Sequence, residues 1–205
     1  MDRKVSLLRM SEFGGTGAML LGAVASAVVL GLLALALLKP LGWVSAFSMA
    51  GFLWAVTVIA LVTLTPLTAV DLTIPEDARS ATCSYDIGGP APEGFWIFES
   101  GQRTLNTALF LPAGALLVLS VARWRAGWVL TPLGLIALAA YSAVIEKLQL
   151  EVDRIDRACD VTDIVDNVTG AVFGVGVGLV LIVIFQPWRH KHRKRRSRQD
   201  VEAWR

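Results

Sequence analysis

Three short polar groupings interrupt an otherwise apolar chain, and their residue types could do chemistry. The first contains Asn106, Phe110, Pro112 and Gly114. Asn106 and Phe110, four apart, share one face of a helix, and Pro112 should bend that helix and free a carbonyl. The second is Glu146 with Gln149, three apart and therefore pointing the same way. The third runs through Arg157, Cys159, Asp160, Asp163, Asp166, Asn167 and Gly170. Asp160, Asp163 and Asn167 fall at i, i+3 and i+7, a single stripe wherever that segment is helical.

Four kinds of chemistry are open to such a set. Arg157 could clamp a phosphate or carboxylate bidentately. Glu146, Asp160 and Asp163 could hold a divalent cation that bridges to a pyrophosphate, although the residues imply no resident cofactor. Glu146 and Asp163, as a close carboxylate pair, could share a proton and serve as acid and base. Alternatively the charges and amides form a network that closes the end of a bundle. That last reading fits Glu146 and Asp163 least well, because closure does not need so many carboxylates for so few cations. No His, Ser or Cys nucleophile arrangement accompanies them, since His190 and His192 lie near the C-terminus.

The elements that must position these residues are membrane spans. The chain has 205 residues, 55% of them hydrophobic, and a mean hydropathy of +0.59, so the bilayer must be part of its solvent. Five stretches approach the ~20 apolar residues a spanning helix requires, at about 16–38, 43–65, 105–122, 128–145 and 164–185. In lipid only helices or closed barrels satisfy their backbone groups, and these runs lack the alternation of barrel strands. The expected fold is therefore all-α, a polytopic transmembrane bundle of about five spans. Residues 1–15 do not read as a signal peptide, because no cleavage site ends the first apolar stretch and more spans follow. Transport is the weakest functional reading, since the span centres lack charges and broken helices.

Charge sets the expected orientation. The connection containing Arg123 and Arg125 and the tail at 189–205 are basic and should face the cytoplasm, two spans apart. Loops 66–104 and 147–163 then face outside, and all three polar groupings meet at the outer interface. The N-terminus would also lie outside. This sits uneasily with Arg3, Lys4 and Arg9, unless the tail and Arg123/Arg125 outweigh them or the first stretch does not fully cross. Trp43, Trp124, Trp128 and Trp188 fall at the inner ends of spans, as an interfacial belt would.

The two cysteines, Cys83 and Cys159, fall one in each outer loop. Outside a bacterial membrane a disulfide persists, so a Cys83–Cys159 bridge is expected, with two unpaired thiols as the alternative. Neither has the spacing of a zinc ligand, so no metal held through sulfur is expected. Loop 66–104 is long enough to suggest function or disorder. Gly88, Gly89, Pro90 and Pro92 break any helix there, and Phe95, Trp96 and Phe98 read as interfacial anchors. The tail from Arg189 to Arg198 reads as a topology anchor that could also bind anionic headgroups, and no nucleic-acid module accompanies it. In the last span, Gly170, Gly174 and Gly178 make a smooth face for close packing, inside the bundle rather than against a second copy of the chain.

Taken in order, the groupings resemble the VanZ-like family. Its Asn-x-x-x-Phe-x-Pro-x-Gly element is met by Asn106, Phe110, Pro112 and Gly114, and its Glu-x-x-Gln by Glu146 and Gln149. Its closing Arg-x-x-Asp-x-x-Asp-x-x-x-Asn-x-x-Gly is met by Arg157, Asp160, Asp163, Asn167 and Gly170. Leu64 and Pro66 also look like its Leu-x-Pro. The resemblance implies a four-span core over 43–188, preceded by an added segment with one span over 1–42 and followed by the tail. It further implies a bacterial cytoplasmic membrane and an association with resistance to teicoplanin-type glycopeptides. The departures are the long loop carrying Cys83 and the placement of Cys159 inside the third motif. The function expected is binding of an anionic lipid-linked or headgroup ligand by Asn106, Glu146, Gln149, Arg157, Asp160, Asp163 and Asn167. A membrane hydrolase or transferase using Glu146 and Asp163, and a structural or assembly subunit, are the rivals.

Overall fold

The computed structural model describes residues 15–65, 101–151 and 161–187. All elements among the described residues are α-helices: α1 (Thr16–Leu41), α2 (Trp43–Leu64), α3 (Gly101–Val121), α4 (Gly127–Glu151) and α5 (Val161–Phe185). Each is long and apolar enough to cross a membrane, which makes the chain a multi-pass membrane protein. Cys83, Cys159, Arg157, Asp160, Phe95, Trp96, Phe98, Trp188 and both histidines lie outside the described residues.

The helices differ from the hydropathy reading mainly at one end. There α3 begins at Gly101, α4 continues to Glu151 and α5 starts at Val161. Arg103 and Thr104, expected in a loop, therefore occupy the first turn of α3, and Lys147–Glu151 extend α4. Hydropathy ends a span where charges begin, whereas a helix continues wherever those charges find partners. Helix α3 also runs through Pro112, whose ring lies on an exposed part of the helix surface.

A single residue, Gly42, joins α1 to α2 with φ 78°, a backbone conformation that glycine adopts without Cβ strain. Helix α1 packs mainly along α2, where Leu61 lies against Gly22 and the Trp54 indole N–H donates to the Ala23 carbonyl at 2.9 Å. Helix α3 is the most enclosed span. Its Phe110 side chain is fully buried in a core with Ile59 of α2, Leu138 and Ile145 of α4, and Ala171 of α5.

Helices α3 and α5 approach until backbone meets backbone. A Cβ at Gly170 would collide with the Thr107 carbonyl oxygen, one at Gly174 with that of Leu111, and one at Gly114 with that of Ala171. At Gly178 it would lie 2.7 Å from the Ala115 oxygen. The glycine face of α5 is thus filled by α3 of the same chain. Without a hydrophobic drive between spans, this close contact is what dispersion needs to hold two helices together in lipid.

Candidate functional site

The polar residues gather where α2 and α4 end and α3 and α5 begin. On α4 the buried face runs Leu138, Ser142, Ile145, Glu146, Gln149, an apolar stripe that turns polar over its last two turns. On α5 the buried face starts with Thr162, Asp166 and Asn167 before the glycines take over. The 3.6-residue period alone puts Glu146 and Gln149 on the stripe that packs into the bundle.

An ion pair closes the α3–α5 seam at this end. Arg103 Nε donates to Asp166 Oδ2 at 3.0 Å, with the Asp166 side chain fully buried and that of Arg103 16% exposed. One turn deeper, Thr107 Oγ1 donates to the Asp166 backbone oxygen at 3.3 Å. The α4–α5 seam carries a neutral link, Asn167 Nδ2 to Ser142 Oγ at 2.9 Å. Asn167 Oδ1 is buried and has no hydrogen-bond partner among the described residues, leaving an acceptor that a donor group could satisfy.

The α2–α4 contact is also polar. Gln149 Nε2 donates to the Thr63 carbonyl at 3.0 Å. Thr63 lies in the last turn of α2, where carbonyls lack an intrahelical N–H, so the Gln149 amide caps a neighbouring helix. Two turns away, Tyr141 Oη donates to the Val56 carbonyl at 2.8 Å while its ring lies 6.4 Å from that of Phe110. The motif residue Phe110 is therefore a core wedge between the polar end and the middle of the bundle.

Of the residues singled out in sequence, Glu146, Gln149 and Asn167 are buried at this end, and Asn106 and Asp163 are half-buried beside them. Asp163 sits in the first turn of α5, where a carboxylate is favoured by the helix dipole. Arg103, Thr107, Ser142 and the role of Asp166 were not visible from the motif pattern. Arg103 carried a signal nonetheless, since it stands at i−4 and i−7 from Thr107 and Phe110, on the face that α3 buries. Among the described residues no group of three His, Cys, Asp or Glu is placed to hold a metal ion. The chemistry at this end among the described residues is hydrogen bonding and charge pairing between largely buried groups, with the carboxylates of Glu146, Asp163 and Asp166 against the one guanidinium of Arg103.

At the opposite end Trp43, Trp124 and Trp128 are exposed, and the Trp43 ring meets Phe185 edge-on at 5.8 Å. A family model described as VanZ/LLP1 matches residues 43–186, from the first residue of α2 to just past α5. No curated protein and no solved structure matches the chain.

Proposed function

The chain belongs to the VanZ/LLP1 family, linked in general to glycopeptide resistance, and from that premise we propose a cell-envelope protein that binds a lipid-linked ligand at its polar end. The observation that carries this reading is the placing of two buried carboxylates, Glu146 and Asp166, with the half-buried guanidinium of Arg103 at one end of the bundle. Ionisable groups within spans are costly, and they are kept where they face a site or pair with one another. The buried acceptor of Asn167 offers a place for a hydroxyl or amide donor of the ligand's headgroup. Arg157, on the segment leading into α5, supplies the guanidinium that would meet a phosphate or carboxylate of that headgroup.

In this reading the polar end faces the outside of a bacterial cytoplasmic membrane and the basic tail faces the cytoplasm. Binding there changes how the surface presents cell-wall precursors to glycopeptides of the teicoplanin type. The test is a susceptibility assay in cells carrying the protein with Arg157→Ala or Glu146→Gln at equal membrane levels. Loss of the protein's protective effect is expected in both, and full protection by both variants would overturn the proposal.

Burial of Glu146 at 3% exposure favours a second reading, a hydrolase or transferase in which Glu146 and Asp163 act as acid and base. A buried carboxyl within hydrogen-bond reach of a bound substrate can give or take a proton there. Purified protein that turns over a lipid-linked precursor, with turnover lost in Glu146→Gln, would establish it; binding without turnover would remove it. The rival structural-subunit reading leaned on the glycine face of α5, and α3 occupies that face.

A further inference from the structure

Among the described residues, the bundle does not close at the tryptophan end. Helix α4 is tied to α5 at the polar end through Asn167 and Ser142, and at the other end it leaves an open groove of about 550 Å³. This falls within the roughly 300–1,000 Å³ typical of sites for small ligands. The floor is apolar, formed by Val118 of α3 with Val175, Leu179 and Ile182 of α5. The rim is the α3–α4 connection, which contributes Arg123, Trp124, Arg125 and Trp128, and among the described residues no acidic residue lines the groove.

We propose that this groove binds an anionic phospholipid, with the phosphate at Arg123 and Arg125 and the start of an acyl chain along Val175, Leu179 and Ile182. The two tryptophans place the rim at headgroup depth, where amphipathic indoles concentrate. A basic rim above an apolar cleft between spans matches both halves of such a lipid, charge against charge and chain against chain. Arg123 is held in position by donating from Nη1 to the Pro40 carbonyl at 2.7 Å, which uses one of its five N–H donors. The Arg125 side chain is exposed at the rim. Neither a second copy of the chain nor an amphipathic peptide explains a rim whose charges, among the described residues, are all cationic as simply as a phosphate does.

The experiment is native mass spectrometry of the full chain, purified in detergent and exchanged against equal phosphatidylglycerol and phosphatidylcholine. The basic tail attracts anionic lipid as well, but its exposed charges are screened by high salt, so a salt wash precedes measurement. Phosphatidylglycerol should be retained in preference, and Arg125→Gln should weaken its retention about fivefold. Arg125→Lys should keep most of it. Leu179→Trp, which fills the groove floor, should abolish retention of both lipids while the tail remains intact. Should Leu179→Trp not insert, the Gln and Lys variants at the exposed rim decide the matter alone. Equal retention of the two lipids by the native chain, or unchanged retention in Arg125→Gln, would overturn the assignment, and salt-resistant dimers filling the groove in place of lipid would do so too.

Discussion

Asp166 is the residue on which the polar end turns, and it shows what spacing can and cannot reveal. A stripe at i, i+3 and i+7 selects Asp160, Asp163 and Asn167, whereas the buried face of α5 selects Asp166 with Asn167. At 100° per residue the centres of the two stripes differ by about 40° around the helix, with Asn167 common to both. Which of them faces the bundle is decided by the glycines, because Gly170 and Gly174 continue from Asp166 at i+4 and i+8. Arg103 escaped notice for another reason: a charged residue before an apolar run reads as loop, and only its partner across the seam shows that the helix has already begun. Removing the half-buried Arg103 leaves the charge of the fully buried Asp166 insufficiently compensated. Arg103→Ala should therefore destabilise the bundle by about 3 kcal/mol, while Arg103→Met combined with Asp166→Leu should recover a large part of the loss. Thermal unfolding of the native chain, Arg103→Met, Asp166→Leu and the double variant in one detergent measures the coupling. Simple additivity of the single changes would show that the pair contributes nothing as a pair.

At the scale of elements, the α3–α5 seam makes a sharp contrast between two glycines two positions apart. A Cβ at Gly174 would run into the backbone of α3, which cannot swing aside as a side chain can, whereas nothing lies within 4 Å of one at Gly176. Gly174→Ala should force the helices apart and cost about 1–3 kcal/mol through overpacking. Gly176→Ala should be neutral or stabilising by up to about 1 kcal/mol, since alanine is the better helix former. Matched unfolding measurements on the two variants test this, and equal effects would mean that the seam is looser than its geometry. The five spans themselves were legible because a run of ~20 apolar residues has few alternatives in a chain of this composition. The small-residue repeat identified a contact face, but periodicity names no partner; the choice of α3 rests on Gly114, Thr107 and Leu111 offering backbone at matching heights. Helix ends were the least legible part, because Glu146 to Glu151 and Gly101 to Thr104 are polar in sequence and helical in the structure.

For the whole molecule, the two ends of the bundle differ in kind, and that polarity must be matched to the two sides of a membrane. One end holds Glu146, Asp163 and Asp166 against Arg103; the other presents Arg123, Arg125 and the tryptophan rim. Positive residues in short connections are retained on the cytoplasmic side, so the Arg123/Arg125 connection should face inward and the acidic end outward. With five spans, the segments flanking α1 and α5 would then lie on opposite sides, and the basic tail inside would outweigh Arg3, Lys4 and Arg9. Cys83 and Cys159 flank the polar end in sequence, one in each connection leading to it, and in this orientation both lie in an oxidising compartment. A membrane-impermeant thiol reagent applied to intact cells should label neither cysteine before reduction and both after it. Labelling without reduction would keep the orientation and remove the disulfide. Labelling confined to lysed cells would invert the bundle and take the surface-ligand reading with it, while the lipid groove between α3, α4 and α5 would stand unchanged in the opposite leaflet.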